Sequence, residues 1–510
     1  MSATPRVEHD RERVIPRPSQ RRASPRRGGA VVRTPDGLLI VQDTATSPSN
    51  RPGRADPATS TGLTEDSGWA SWMQATLKVI GAVSGLGAGL AFGILGFLGR
   101  EDTLFGVVLA PALTLIAAIV AKRVVLPRSN EFVFAAVVAG FGARMLGAVP
   151  RLISGADSPV YQREGERIAD ALRSFDLAVD TGRSIPGTGA VRYFSGVVNV
   201  LTGSNAIATF LVFVVLAFVG QVFFLFAVKP VLNDKQMRLA ALFIMLSPTM
   251  VYWPSSVGKE SLALFGIGIG LFGVSRVYER QWNGVVPLLF GGFVVGMVRP
   301  HVAMLLLAGL VVGLFARRAV DQRRLAVHIV VLAVVLVGAM LTTGASARLF
   351  DLESFDGVSD VSAALDFAED RTSQDDSAFT AARVSSVTDY PWATLTVLFR
   401  PFIWEAENAA SFVSAIEGMM LAAAILYAAP GLVSNLRALV QKGQLLFAVG
   451  FTSVFIFVFA AIGNFGILSR QRAQVVPFVL LLVAFGVGAE RLRGARTSRA
   501  SNIELSRRGR

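Results

Sequence analysis

A short polar stretch between two apolar runs is the first candidate for chemistry in this sequence. It reads VYWPSSVGKES over residues 251–261, and its Gly-Lys pair resembles part of a phosphate-binding loop. A nucleotide P-loop needs an opening glycine, four further residues, Gly-Lys, and then a Ser or Thr that holds magnesium. Here Trp253 stands in place of the opening glycine, and Glu260 follows Lys259. The stretch is therefore not a nucleotide P-loop.

We interpret the same stretch as the turn of a helical hairpin. Pro254 and Gly258 interrupt the apolar pattern, and Ser255 or Ser256 is expected to cap a new helix that begins near Lys259. The first N–H groups of a helix favour an anion. The turn is thus expected to offer a phosphate both a lysine and a helix start.

Glu260 is the unusual member of this turn, because a carboxylate beside a phosphate would repel it. We expect Glu260 to point away from the phosphate and to hold Lys259, or an arginine such as Arg299, in place. The alternative is an ordinary first-turn glutamate that complements the helix dipole.

Further cationic side chains recur where other apolar runs end, in VRPH, LFRPFIWEAEN and SRQRAQ. Arginine forks match phosphate oxygens, and lysine adds a point charge. Ionisable groups at the ends of membrane spans are costly unless they are paired or functional. Interfacial anchoring to lipid headgroups is the alternative for any single arginine. The predicted phosphate ligands are Lys259, Arg299, His301, Arg400, Arg470 and Arg472.

Carboxylates and aromatic side chains accompany these cations. One carboxylate among Asp157, Glu164, Glu260, Glu405 and Glu407 is suited to act as a general base toward a sugar hydroxyl. The aromatic side chains either stack on a sugar ring or mark the membrane interface. They are Tyr161, Trp253, Phe402 and Trp404. No metal site is predicted, since the chain has no cysteine and three histidines.

The elements that position these residues are apolar helices. The chain of 510 residues is 52% hydrophobic and only 17% charged, whereas a soluble domain is about 25% charged. Runs such as 206–228 are long enough to cross a bilayer, which takes about 20 residues. We predict an all-α polytopic integral membrane protein with short amphipathic helices in outer loops and about twelve spans, at 76–98, 104–121, 131–149, 206–228, 237–253, 261–276, 285–299, 301–316, 326–343, 409–429, 444–463 and 475–489.

Charge sets the orientation of these spans. If the Arg-rich N-terminal tail is cytoplasmic, every loop that falls inside is basic, as the positive-inside rule requires. The net charge of +13 is therefore attributed to membrane orientation rather than to nucleic acid. We predict a disordered basic cytoplasmic tail at 1–68, a membrane domain at 69–490 with outer loops 150–205 and 344–408, and a basic cytoplasmic tail at 491–510.

Two apolar segments contain features that resemble sites. GIGIGLFG at 266–273 matches the G-x-G-x-x-G pattern, but a dinucleotide fingerprint follows a strand in a soluble βαβ unit. Close packing of helices through small residues is the better interpretation. Arg144 lies inside the third apolar segment, so its side chain must pair or reach the interface.

The chain resembles the polytopic GT-C glycosyltransferases, mainly over residues 131–320. The resemblance rests on ADSPVYQREGERIADAL, GAVRYFSGVVNVLTGSN and SPTMVYWPSSVGKESLALFG, together with the later SRQRAQVVPFVLLLVAFG. It implies transfer of a sugar from a polyprenyl phosphate at the extracytoplasmic face, during assembly of a cell-envelope glycan on a glycan or lipid acceptor. It also implies that Asp157 is the catalytic acid of the first outer loop, as base or metal ligand. Many members have two adjacent acids, but Ser158 follows Asp157 here, so a divalent cation stays an open option.

Two other functions remain open. An O-antigen-type polymerase or ligase also presents outer arginines to a lipid pyrophosphate, and the 344–390 loop with FRPFIWEAEN fits that pattern. A transporter or flippase is the non-enzymatic alternative. It would place broken helices and polar groups at the bilayer midplane and often shows internal repeats, whereas the polar groups here gather toward one face.

Overall fold

The computed structural model of the chain is helical apart from one short hairpin. It describes residues 30–33, 39–42, 61–155, 157–314, 365–366, 369 and 378–487. The predicted span at 326–343, the first part of the loop at 344–408 and the C-terminal tail lie outside these residues.

Most of the helical residues before position 315 lie in eleven helices. They are α1 (Thr61–Phe97), α2 (Gly106–Val124), α3 (Glu131–Ser154), α4 (Ser158–Arg173), α5 (Thr188–Thr202), α6 (Ala206–Val228), α7 (Asp234–Leu246), α8 (Pro248–Tyr252), α9 (Lys259–Tyr278), α10 (Val285–Val298) and α11 (Pro300–Leu314).

Six helices follow after residue 389. They are α12 (Tyr390–Phe399), α13 (Ala409–Ser434), α14 (Leu436–Gln441), α15 (Gly443–Phe459), α16 (Phe465–Arg472) and α17 (Val476–Val487).

Two strands, β1 (Ala30–Arg33) and β2 (Leu39–Gln42), pair antiparallel, with Ala30 opposite Gln42. They belong to the N-terminal unit, residues 1–64, which is separate from the helical unit that follows. Helix α1 begins at Thr61, so the last residues of the predicted tail are helical. The remaining residues of that tail lie outside the described part of the chain.

Several helices are long and apolar enough to cross a membrane, which makes this a multi-pass membrane protein by length and composition. Six helical segments meet that description within the described residues, and a bent pair, α16 with α17 at 56°, would make a seventh. Three shorter apolar helices, at 282–298, 300–314 and 443–459, accompany them. The six are Gly68–Phe97, Glu101–Arg128, Glu131–Ser154, Ala206–Val231, Lys259–Tyr278 and Ser411–Ser434.

The segment predicted as one span at 237–253 is instead broken into α7 and α8. Pro248 has no backbone N–H to donate, and its ring disfavours helical geometry at the residue before it. Ser247 accordingly has an extended ψ of 132°. Glu417 of α13 accepts hydrogen bonds from the Ser247 hydroxyl at 2.7 Å and from the Thr249 N–H at 2.8 Å. A carboxylate from another helix thus accepts the hydrogen bonds of polar groups at this break.

The glycine pattern of α9 packs helices closely, which confirms the interpretation of GIGIGLFG. A Cβ on Gly268 would lie 1.8 Å from the backbone oxygen of Gly220 in α6. A Cβ on Gly266 would lie 2.9 Å from the oxygen of Gly291 in α10. Only glycine allows these backbones to approach so closely. The start of α9 is therefore fixed between two neighbouring helices.

We expect Gly268→Ala to lower the free energy of unfolding by about 1–3 kcal/mol or more, because the new methyl group meets backbone rather than a movable side chain. Thermal unfolding in detergent measures the change. Gly292→Ala on α10 is the matched control, since no atom lies within 4 Å of the added Cβ. Equal midpoints for the two variants would contradict the close packing.

Candidate functional site

Four parts of the fold meet around the turn at 253–258. Arg151, near the end of α3, donates from Nη2 to the Ser256 hydroxyl at 3.1 Å. The Ser158 hydroxyl, at the start of α4, donates to the Val257 carbonyl at 3.2 Å. The start of α11 and helix α16 join through the ion pairs of Arg299 and Arg470 described below. Residues that are far apart in the sequence therefore lie close together around this turn.

Helix α9 begins at Lys259, as the sequence of the turn predicted, but no serine side chain caps its N-terminus. Gly258 holds the N-cap position, and it carries no side chain to cap with. The Ser255 hydroxyl donates to the Val251 carbonyl at 2.5 Å instead, and Ser256 accepts from Arg151. The expected serine cap was wrong because both hydroxyls are engaged on the other side of the turn.

Glu260 contacts Arg299, as the sequence led us to expect. Nη2 of Arg299 donates to Oε1 of Glu260 at 2.5 Å, and the side chains are only 4% and 6% exposed. The same Oε1 lies 3.6 Å from Nε of Arg470. One carboxylate oxygen therefore lies between two guanidinium groups. Whether this contact supports activity stays a prediction.

The guanidinium of Arg299 is only partly satisfied by Glu260. Its Nε and Nη1 are buried and have no hydrogen-bond partner. Buried N–H groups of native proteins are nearly always paired, and leaving a charged donor unpaired costs more than leaving a neutral one. Nε and Nη1 point in different directions in the guanidinium plane, and a phosphate oxygen is a strong acceptor for either donor. An oxyanion would therefore supply an acceptor that the guanidinium of Arg299 lacks.

Asp157 lies immediately before α4 and pairs with Arg470. Oδ2 of Asp157 accepts from Nη1 of Arg470 at 2.7 Å. The Asp157 side chain is 51% exposed, whereas Arg470 is 29% exposed. Asp157 is thus the accessible carboxylate of this group, and Glu260 is the buried one.

Tyr161 lies one turn along α4 from Asp157 and is buried. Burial raises the pKa of its hydroxyl to about 12, and the negative charges of Asp157 and Glu260 act in the same direction. Arg299 and Arg470 oppose the shift. The hydroxyl therefore stays protonated at physiological pH and is available as a hydrogen-bond donor.

Lys259 and His301 stand beside Arg299. The ammonium of Lys259 is within electrostatic reach of Arg299, Glu260, Asp157 and Arg470. The His301 ring is within reach of Arg299 and Lys259 and lies 6.0 Å from the Phe459 ring. Both residues were predicted as phosphate ligands, and both lie in this group.

Two arginines of α3 were absent from the predicted ligands. Arg144 is fully buried, and its Nη2 donates to the Met250 carbonyl at 2.5 Å, whereas its Nε and Nη1 have no partner among the described residues. Arg151, seven residues later on the same face, stacks on the Trp253 ring at 5.1 Å, and Arg470 lies 5.9 Å from that ring. The seven-residue spacing of two arginines in an apolar helix is the sequence signal that would have identified this face.

Arg400, Glu405 and Trp404 form a separate group. Arg400 donates from Nε and Nη2 to Glu405, with Nε–Oε1 at 3.0 Å, and stacks on the Phe379 ring at 4.2 Å. Burial raises the pKa of Glu405, but hydrogen bonds from Arg400 and from the Phe402 N–H outweigh this and hold it below its ordinary value. Trp404 is 80% exposed. The charge of Arg400 is thus already matched by a carboxylate.

Arg472 also lies outside the group around Arg299, although Arg470 is only two residues away. Its Nε donates to the Val397 carbonyl at 3.3 Å, and its Nη2 donates to the Arg400 carbonyl. These carbonyls belong to the end of α12 and the residue after it, where helical partners are missing. Arg472 therefore holds the end of a helix, and its donors face backbone.

We refer to Arg151, Lys259, Arg299 and Arg470 as the cationic cluster. Two carboxylates, Asp157 and Glu260, face these four cations, so an excess of positive charge remains. Among the described residues, no group of three His, Cys, Asp or Glu side chains is placed to hold a metal ion. The chemistry that this arrangement supports is the binding of an oxyanion next to an accessible carboxylate.

Comparisons of the chain with protein-family models, with curated proteins and with solved structures find no match. The function is therefore argued from the geometry of the cationic cluster.

Proposed function

We propose that this protein is a membrane glycosyltransferase that takes a sugar from a polyprenyl phosphate donor and passes it to a glycan or lipid acceptor of the cell envelope. The observation that carries the proposal is the buried guanidinium of Arg299, whose Nε and Nη1 have no partner beside the Glu260 contact. An oxygen of a lipid phosphate would accept from one of these donors. Because the chain is a multi-pass membrane protein, the phosphate of a membrane lipid is the oxyanion that is present in its surroundings.

Asp157 is the proposed general base. It removes the proton from an acceptor hydroxyl, and the acceptor oxygen attacks the anomeric carbon of the donor sugar. The bond from that carbon to the phosphate oxygen breaks, and its electron pair leaves with the polyprenyl phosphate. Lys259, Arg299 and Arg470 stabilise the leaving phosphate, where negative charge develops.

The phosphate and Asp157 compete for Arg470 in this scheme. Arg470 holds Asp157 at 2.7 Å. When a phosphate engages Arg470, that ion pair weakens, and the carboxylate of Asp157 becomes available to accept a proton. Tyr161 keeps its proton and orients a substrate oxygen. Arg400 and Arg472 are less suited to the phosphate, because Glu405 and backbone carbonyls occupy their donors.

The finer topology belongs to the same proposal. We retain about twelve spans, with both termini in the cytoplasm and with the cationic cluster at the extracytoplasmic face. Support comes from the basic loops assigned to the inside and from the separation of α3 and α6 by the polar segment 155–205. The lipid-linked donor would reach the cluster from the outer leaflet.

Labelling of single cysteines tests this topology. The chain has no cysteine of its own, so each variant carries one thiol. Cysteine at Ser24 should resist a membrane-impermeant thiol reagent in intact cells, because the tail is predicted to be cytoplasmic. Cysteine at Ser359 should react. The opposite pattern would invert the orientation and remove the proposed outer site.

Lipid-linked sugars extracted from cells that lack the protein test the function. We expect an unused polyprenyl phosphate sugar to accumulate, and the wild-type gene to reverse this. Asp157→Asn should fail to reverse it although the protein is made and still binds lipid phosphate, since only the base is lost. Accumulation of a complete lipid-linked repeat unit would instead indicate a polymerase or ligase.

A flippase or transporter is the second candidate, because α7 and α8 are broken at Ser247 and the pair α16–α17 is bent by 56°. Broken helices are typical of transporter binding sites. The Asp157→Asn variant separates the two functions. A flippase that binds phosphate through the cationic cluster does not need a base at Asp157, so full complementation by this variant would favour transport.

A further inference from the structure

An exposed apolar patch lies on the segment between α3 and α6, away from the cationic cluster. Phe175 is 90% exposed, Leu177 is 71% exposed, and Leu201 near the end of α5 is 81% exposed. We define these three side chains as the apolar patch. Large apolar side chains exposed together mark an interaction surface.

The backbone conformation of Phe175 is unfavourable for a bulky residue. Helix α4 ends in a Schellman motif, in which the Asp176 N–H bonds to the Ala171 carbonyl at 3.0 Å and the Phe175 N–H bonds to the Leu172 carbonyl at 3.0 Å. The residue that must turn left-handed in this motif is usually glycine. Here it is phenylalanine, with φ of 63°. A bulky residue in this strained and exposed position suggests that its side chain has a use outside the fold.

The patch lies where a membrane span begins. Arg173, two residues before Phe175, donates from Nη2 to the Asn199 carbonyl and to the Ser204 hydroxyl, each at 3.0 Å. Ser204 precedes Asn205, the N-cap of α6, and α6 belongs to the candidate span Ala206–Val231. Leu201 is five residues before that span. The apolar patch is therefore continuous with the place where the chain enters the bilayer.

The loop that carries the patch is tied to the fold at several points. The Tyr193 hydroxyl donates to the Leu177 carbonyl at 3.4 Å, and Arg192 donates to the Thr181 carbonyl at 2.8 Å. The Gly187 N–H bonds to the Met297 carbonyl at 2.8 Å, two residues before Arg299. The side chains of the patch face outward from an anchored backbone.

We propose that the apolar patch inserts into the bilayer interface beside α6 and anchors the α4–α5 segment to the lipid surface. The bilayer is the partner that the position favours, because the patch adjoins a span and consists of aliphatic and aromatic side chains. This inference requires only that α6 spans the membrane, and it is independent of the proposed transferase activity.

Spin labels on single cysteines in lipid nanodiscs of phosphatidylcholine and phosphatidylglycerol test the proposal. Labels at Phe175→Cys, Leu177→Cys and Leu201→Cys should collide more readily with oxygen, which concentrates in lipid, than with a water-soluble nickel chelate. Leu90→Cys, at a 67% exposed site of α1, provides the lipid reference. Ser184→Cys, an exposed polar site of the same loop, provides the water reference.

Labels of the patch that match Ser184→Cys would overturn the proposal, because the patch would then face water. Exclusion of both reagents would also overturn it, since that result means that a second copy or a partner protein covers the patch. The Phe175→Gly variant checks the fold. Glycine suits the left-handed position, so its thermal midpoint should equal or exceed that of the wild type, and a large fall would instead show that Phe175 packs within the fold.

Discussion

Replacement of Arg299 by alanine is expected to abolish binding of a lipid phosphate and to lower the stability of the protein. The change removes the unpartnered donors, one of which we assign to the phosphate, at a loss in binding of about 2–5 kcal/mol. It also leaves Glu260 buried without its closest partner, and the Arg470 Nε lies 3.6 Å away. Loss of one member of a buried ion pair costs about 3–5 kcal/mol. Both effects should be visible, in a binding assay and in thermal unfolding.

Arg299→Lys separates these two effects. The lysine keeps a positive charge for Glu260, so we expect a smaller loss of stability than with alanine. It cannot reproduce the fixed planar donors of the guanidinium, so binding of the phosphate should still fall. Arg123→Ala, at an exposed position near the end of α2, is the matched control for the loss of one arginine. An Arg299→Ala protein that binds lipid phosphate as the wild type does would show that Arg299 is only a structural partner of Glu260.

Glu260→Gln and Lys259→Ala are expected to fail in different ways. Glutamine has the size of glutamate but no charge, so Arg299 and Arg470 lose the negative charge that holds them. We expect a fall in stability of up to about 3–5 kcal/mol together with loss of activity.

Lys259 shows no ion pair with a described residue, so Lys259→Ala should leave stability unchanged. It should weaken phosphate binding by about 1.5–3 kcal/mol, the range for a hydrogen bond to a charged group.

Unfolding and binding measured on both variants distinguish the roles. A stable and fully active Glu260→Gln protein would reduce Glu260 to a first-turn residue that complements the helix dipole. An active Lys259→Ala protein with normal affinity would remove the lysine from the phosphate site. Glu279→Gln, near the other end of α9 and exposed, is the control for the glutamate change.

The short sequence around residues 251–261 was enough to predict where α9 begins and that Glu260 contacts Arg299. Pro254 and Gly258 cannot continue the preceding helix, so a new start near Lys259 follows from backbone chemistry alone. The Glu260–Arg299 pair was foreseeable because α9 and α10 are consecutive helices, so the start of α9 and the end of α10 lie at the same end of a hairpin. The glycines of α9 predicted close helix packing in the same way.

The remaining parts of the site depend on contacts between distant residues, which no local pattern reveals. Asp157 and Arg470 are 313 positions apart, and only the packing of α16 brings them together. The separation of Arg400 from the cationic cluster depends on Glu405 and on the rings that surround its guanidinium. The serine caps were wrong because Arg151, on another helix, engages Ser256. The break at Ser247 was hidden by the apolar character of the whole segment.

Binding of a polyprenyl phosphate to the purified protein, measured by native mass spectrometry beside the corresponding uncharged polyprenol, tests the central claim most directly. If the cationic cluster holds a lipid phosphate, the wild type should bind the phosphate and not the alcohol. Arg299→Ala should then lose at least about 2 kcal/mol of affinity, roughly thirtyfold, while Arg123→Ala retains it. Equal binding of phosphate and alcohol, or unchanged binding by Arg299→Ala, would contradict the account.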